Sequence, residues 1–272
     1  MATFRQKLQG RWKMVFAALI GLSLLAFYGL RQPALEGNWE PHLIDQSSIA
    51  MSSDDFEISN IHDWFYDHKG PVRQQVVTQR YRFDSVQDIW FFVEPFETND
   101  AIAHTMLMFR FADGRLLGLT IEARKEVGET YSALGGMARK FELLYIWNRP
   151  SDMLSRRAAF LQHKIYAYPL DVPQAEQINL LKSLIVKTNG LVERPRFYNT
   201  LRHNCTNEFA QSAGLLWGPA HVLTGRAPKY LAGKGYIDAA AAGRKIDISD
   251  AVAAIPYDRF ESDLSTYLDQ LR

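Results

Sequence analysis

Residues Met14 to Leu30, "MVFAALIGLSLLAFYGL", carry no charged side chain. No other feature restricts the chain so strongly. Backbone N–H and C=O groups inside hydrocarbon must be satisfied internally, and an isolated segment manages that only as a helix. As a helix the run measures about 25 Å, within the tolerated range for a bilayer core. Trp12, Phe16 and Tyr28 sit near its ends, where amphipathic rings favour the interface. Arg5, Lys7, Arg11 and Lys13 precede it and only Arg31 follows closely. That asymmetry makes residues 1–13 a basic cytoplasmic N-terminus and residues 14–30 a transmembrane signal anchor. A cleaved signal peptide is the competing reading, but "AFYGLRQP" puts bulky residues where a cleavage site needs small ones.

Residues 31–53, with Pro33, Gly37 and Pro41, read as a tether. Residues 54–272 then form one domain on the periplasmic side of a bacterial inner membrane. With 47% of residues hydrophobic, the chain has material for a substantial core. A formal net charge of +1 offers no basic face for nucleic acid, so none is expected as a partner.

"VRQQVVTQRYRF" (Val72–Phe83) and "IWFFVEPF" (Ile89–Phe96) are rich in β-branched and aromatic residues and predict strands. "AIAHTMLMFRF" and "RLLGLTIEAR" flank Asp113-Gly114, a strong local hairpin signal. Two more strands are expected at Lys140–Trp147 and Lys164–Leu170. Helices follow. Asp171 and Pro173 suit a helix start, Ile178, Leu181, Leu184 and Ile185 repeat at helical spacing, and Gly190 is the expected end. Asn204 is a plausible N-cap for a helix carrying Phe209, Ala213 and Leu216 on one face. Phe260, Leu264, Tyr267 and Leu271 predict a closing helix. Strands clustered before helices give an α+β class, an antiparallel sheet packed on helices.

Cys205 is the only cysteine in 272 residues and would open the helix that Asn204 caps. Unpaired backbone N–H groups and the positive end of the helix dipole favour a thiolate there and can also hold an oxyanion. In an oxidising compartment a thiol without a partner remains available for chemistry. A structural cysteine, a small buried hydrophobe, is the bland alternative. A thiolate mechanism needs a base and a group to orient it. Of seven histidines, His104 stands out because it lies mid-strand among apolar residues. His203 is close in sequence but is expected to point away, and His221, in a Gly-Pro loop, is expected to face solvent.

Glu122, on the partner strand, is the conditional orienter. A two-residue loop at Asp113-Gly114 pairs His104 with Ala123 and turns Glu122 away, whereas a three-residue loop or a bulge sets Glu122 opposite His104. "HDWFYDH" (His62–His68) holds two histidines and two aspartates, but its spacing fits no zinc pattern and its aromatic interior suggests packing. No metal and no cofactor is expected.

The blocks "ISNIHDWFY", "FFVEPF", "AHTMLMFRFADGR", "LTIEARKEVGETYSALGGMARKFELLYIW" and "FYNTLRHNCTN" occur in this order between Ile58 and Phe209. In them the chain resembles the Lnb N-terminal periplasmic domain family, departing at His62, where that family tends to have arginine. The resemblance implies a permuted papain-like, NlpC/P60-type fold with histidine on a strand before cysteine on a helix, the order of His104 and Cys205. It implies Cys205 and His104 as catalytic residues, with Glu122 as their conditional third member, and the candidate substrate-binding residues Arg124, Tyr131, Asn199 and Asn204 fall in the quoted blocks. It further implies transfer of a fatty acyl group from a phospholipid donor to a lipoprotein acceptor, at the amine of its N-terminal cysteine. Trp217, Val222, Leu223 and Tyr230 could line an acyl groove or be ordinary core. Further membrane helices, which the family's acyltransferase carries after this domain, do not follow it here up to Arg272. An amidase or peptidase of the same fold acting on cell-wall peptide, and a non-catalytic periplasmic binding module, are the alternatives.

Overall fold

The computed structural model describes residues 2–96 and 99–272, with side chains from residue 12 onward except that of residue 99. The side chains of Arg5, Lys7 and Arg11 lie outside the described residues. Helix α1 (Ala2–Leu30) contains an apolar stretch, Trp12–Leu30, of mean hydropathy 1.9 and with none of its length buried against the domain. Among the described residues this is the one helix long and apolar enough to cross a membrane.

The domain begins with β1 (Ser48–Met51), β2 (Asp55–His62), β3 (Phe65–Asp67), β4 (Gly70–Arg73) and β5 (Val76–Arg82). Next come β6 (Val86–Phe96), β7 (Asn99–Phe111), β8 (Leu116–Arg124), α2 (Ala133–Met137), β9 (Glu142–Asn148) and α3 (Pro150–Ser155). A π-helical turn, Arg156–Phe160, leads to β10 (Tyr166–Pro169) and α4 (Gln174–Glu193). The chain closes with α5 (Cys205–Ser212), α6 (Ala227–Gly233), α7 (Ala239–Arg244), α8 (Ser249–Ala253) and α9 (Phe260–Asp269).

The main sheet runs β1-β2-β9-β8-β7-β6-β10, with β5 also paired to β2; β3 and β4 form a separate ribbon. Its ladders are antiparallel apart from a parallel bridge, His62↔Asn148, between β2 and β9. Both faces are covered. Phe91, Leu107, Leu119 and Trp147 pack with Leu181 and Leu184 of α4 and Phe209 of α5. Trp90, Met106, Met108 and Leu116 pack on the other side with Met153 of α3, Val252 of α8 and Phe260 of α9. Two-sided burial explains why β6 reads as a continuous apolar run rather than an alternation. Gly118 of β8 admits α3: a Cβ there would lie 2.8 Å from Met153 Sδ.

Four expectations change. The tether is folded onto the domain, because Trp39 bridges Glu126, Leu43 is buried, and Ser48–Met51 pairs with β2. The Val72–Phe83 run divides, its start pairing with β3 and its remainder with β2. Helix α4 continues past Gly190 to Glu193. Glycine costs about 1 kcal/mol in a helix, and burying Leu191 (1% exposed) recovers about 1.5–3 kcal/mol. Helix α5 stops before Leu216, because Gly214 turns left-handed (φ +69°) and the Leu215 amide closes on the Ala210 carbonyl (2.8 Å). Leu216 is left 86% exposed. The last helix forms as expected, with Leu268 rather than Tyr267 completing its fully buried stripe.

Candidate active site

Asn204 is extended (φ −99°, ψ 174°), and its Oδ1 accepts from the Asn207 amide at 2.8 Å, so α5 starts at Cys205. Its Nδ2 donates to the carbonyls of Thr200 and His221, each at 2.7 Å. Every polar atom of this side chain is therefore spent on holding the helix start, which is where the structure places a residue expected to bind substrate. Asn204→Ala removes a cap worth about 1 kcal/mol, takes the donor from the Thr200 carbonyl and leaves the His221 carbonyl only the longer bond from Asn207 Nδ2 (3.4 Å), so a loss of about 2 kcal/mol is expected. A urea unfolding midpoint measures it, and a loss below a few tenths would mean that water replaces the cap.

Farther along α5, fully buried Glu208 receives Tyr145 Oη (2.7 Å), His203 Nδ1 (2.8 Å) and Lys187 Nζ (3.0 Å). Burial would raise this carboxyl, but the His203 hydrogen bond and Lys187 together bring it down to about 2. His203 thus serves the helix and points away from the thiol. Thr206 Oγ1 lies 2.9 Å from Thr105 Oγ1, tying the first turn to β7.

The sheet splits where this helix arrives. The β7–β8 ladder runs from Arg110↔Leu116 to Met106↔Thr120 and stops. On either side pairing continues, β6–β7 through Glu94↔His104 and β8–β9 through Arg124↔Glu142. The N-terminus of α5 sits at that opening, which is how buried Cys205 meets His104. The Thr105 backbone N–H, beyond the end of the β7–β8 ladder, lies close enough to the sulfur to favour its charged form. The turn between Phe111 and Arg115 has three residues, so Glu122 faces His104 across the split, with Oε1 at 3.1 Å from Nε2. The ring N–H is aimed off that oxygen, which makes the contact an ion pair rather than a straight hydrogen bond.

Burial alone would lower the His104 imidazole, but the Glu122 carboxylate and the contact with sulfur push it up to about 10. Burial would likewise raise the Cys205 thiol, and the hydrogen bond and charge of His104 outweigh it, so the thiol sits below its ordinary value. Both shifts favour a thiolate–imidazolium pair.

Behind this pair lies a charge network with no signal in the local sequence pattern. Arg157, from the π-helical turn, donates to Glu94 Oε2 (2.7 Å), Glu122 Oε1 (2.9 Å) and the Met153 carbonyl (2.7 Å). Glu94 also meets His163 Nδ1 at 2.6 Å. His42, close enough to feel Arg156 and Glu122, is held neutral, pushed down to about 3 by burial first and by Arg156 second.

Arg124 is buried and donates to the carbonyls of Leu35, Leu43 and Ile44 while stacking over Trp39, so it fastens the N-terminal segment instead of facing the thiol. Asn199 Oδ1 accepts from the amides of Leu201 and Arg202 and shapes a turn. Tyr131 does lie beside the site. Its ring meets Tyr198 edge-on, the hydroxyls are 3.5 Å apart, and the Tyr198 phenol feels the Cys205 charge.

His221 is buried rather than solvated, with Nδ1 accepting from the Gly218 amide. In "HDWFYDH", His62 stacks on Trp64, Asp63 pairs with Arg73, and Asp67 caps a turn. An apolar pocket behind α5 is lined by Leu107, Phe209, Leu215, Tyr230 and Leu231, whereas Trp217 stands 63% exposed.

No curated protein and no solved structure matches the chain. A family model, described as the Lnb N-terminal periplasmic domain, matches residues 73–220. The match begins after the Ile58–Tyr66 block and takes in the split strands, the Arg157 turn and the start of α5. Covering more than half of the sequence, it makes this chain a member of the Lnb N-terminal periplasmic domain family.

Proposed function

We propose that the protein is a membrane-anchored periplasmic thiol acyltransferase with a permuted papain-like domain. In this reading it moves a fatty acyl group from a phospholipid to the N-terminal amine of a lipoprotein. The observation that carries this is a buried thiol at a helix start, paired with a strand histidine that a carboxylate backs, in a domain fastened to the foot of a candidate membrane span. The basic N-terminus and the apolar helix support a single-pass anchor in the inner membrane with the domain outside. Both substrates are confined to a bilayer, so tethering raises their effective concentration at the site.

The Cys205 thiolate attacks the ester carbonyl, forming an S–C bond. The Asn207 and Glu208 amides are engaged by Asn204, which leaves the amides of Cys205 and Thr206 to hold the oxyanion. As the C–O bond breaks, the His104 imidazolium gives its proton to the departing lysophospholipid alkoxide. With Glu122 on Nε2, Nδ1 is the nitrogen that serves the sulfur and the reacting groups. In the second half, His104 removes a proton from the incoming amine, an N–C bond forms, and the thiolate leaves.

Incubation of the full chain with phospholipid is expected to add the mass of one acyl group at Cys205. Hydroxylamine should remove it, and Cys205→Ala and His104→Ala should abolish it. Release of peptide from purified cell wall without any acyl adduct would overturn the transferase in favour of a hydrolase of the same fold.

A further inference from the structure

Helix α1 does not merely precede the domain; its end is gripped by it. The Tyr28 ring lies under the Arg139 guanidinium at 4.2 Å, and its hydroxyl donates to the Met137 carbonyl (3.3 Å). Arg139 Nη1 donates to the Tyr28 carbonyl at 2.8 Å. One residue past the apolar stretch, Arg31 donates to the Lys140 carbonyl (3.4 Å) and lies over Phe197. Residues at this junction therefore sit at headgroup depth whenever α1 spans a bilayer.

A cleft of about 390 Å³ opens there. Its lining includes Arg31, Arg139, Arg196, Arg202 and His203, and no carboxylate. The bonds of Arg31 and Arg139 go to carbonyls and rings; Arg31 also feels the Glu142 carboxylate outside the cleft, whereas Arg139 has no ion pair among the described residues. Arg196 is 40% exposed and reaches Glu208 only at 3.5 Å, and Arg202 is exposed. Concentrated positive charge of this kind, with planar donors, suits a phosphate. Tyr198 lines the same cleft and belongs to the buried cluster that holds Cys205, within reach of its charge. Next to Arg202, Leu201 is exposed and its carbonyl accepts from the indole of Trp217, an apolar and aromatic rim of the sort found at membrane interfaces.

We propose that this arginine-lined cleft receives the phosphate of a membrane phospholipid and so presents that lipid's acyl ester to Cys205. The inference rests on the acyl-transfer reading for its purpose, but binding can be measured without catalysis. The shared chemistry is a phosphate anion, which free inorganic phosphate could also supply.

The test uses the full chain in detergent with Cys205→Ala, and native mass spectrometry reads retained ligand. Short-chain phosphatidylglycerol is compared with the diacylglycerol of the same chains and with inorganic phosphate. Phospholipid is expected to be retained at least tenfold over diacylglycerol, about what one charge-assisted hydrogen bond supplies. Arg202→Gln, on an exposed turn, should cut that preference several-fold, and Arg139→Gln with Arg202→Gln should abolish it. Equal retention of the two lipids, or a preference untouched by both variants, overturns the proposal. Displacement of the phospholipid by inorganic phosphate at equal concentration assigns the cleft to a free anion and overturns it too. Arginine-dependent retention by a native-Cys205 protein that forms no acyl adduct upholds the cleft and removes the transferase reading.

Discussion

Iodoacetamide is expected to alkylate Cys205 along a pH profile displaced to lower pH than that of an ordinary thiol, with a higher rate near neutrality. His104 depresses the thiol, so the thiolate forms at lower pH than that of an ordinary cysteine. As pH falls through that lowered value the thiolate takes a proton and the rate drops. As pH rises through about 10 the imidazolium loses its proton, and with it the charge that stabilises the pair. His104→Gln removes the depressing charge and leaves burial in command. The rate near neutrality should then fall by about tenfold or more, and the profile should climb beyond the ordinary thiol range. Acyl-adduct formation should fall further, by about 10²–10⁴-fold, because the variant also lacks the proton carrier. A His104→Gln profile matching that of the unaltered protein would mean that sulfur and imidazole do not form a pair.

Arg157→Met should cost about 3–5 kcal/mol of stability, the range for removing one member of a buried ionic network. The Arg157 side chain is 5% exposed and its partner Glu94 7%, so water cannot readily replace the lost charge. Glu122, at 24%, is better solvated and supplies less of the loss. Chemical denaturation reads the stability, and the Cys205 alkylation profile reads the site. Without Arg157, Glu122 holds its charge less firmly, His104 loses support, and the profile should shift toward that of His104→Gln. A loss under about 1 kcal/mol would identify the network as a solvated surface pair. Stability lost with an unchanged profile would make Arg157 a prop for the fold alone.

Much of the scaffold was legible from short stretches. Alternating and β-branched runs marked β6 to β10, Asp113-Gly114 marked the hairpin, and Asn204 marked the start of α5. Each signal acts over a few residues, through backbone preference or one side-chain hydrogen bond. Signals that compete with burial misled: Gly190 did not stop α4, and prolines and glycine did not keep residues 31–53 off the domain. Arg124 shows why. Its guanidinium holds three carbonyls of that segment, partners that lie far away along the chain.

The candidate site divides in the same way. That a thiol opens a helix and a histidine sits mid-strand is written in the order of residues, because caps and strand periodicity are local. Whether Glu122 faces His104 depended on one residue in a turn, a choice that Asp113-Gly114 permits both ways and that only the register of the folded hairpin, Arg110 opposite Leu116, decides. The Glu94–Arg157–Glu122 network had no local trace, since charged side chains read as surface until the fold closes over them. Meeting of sulfur and imidazole needed a sheet that parts between β7 and β8, and ladders end where tertiary packing ends them.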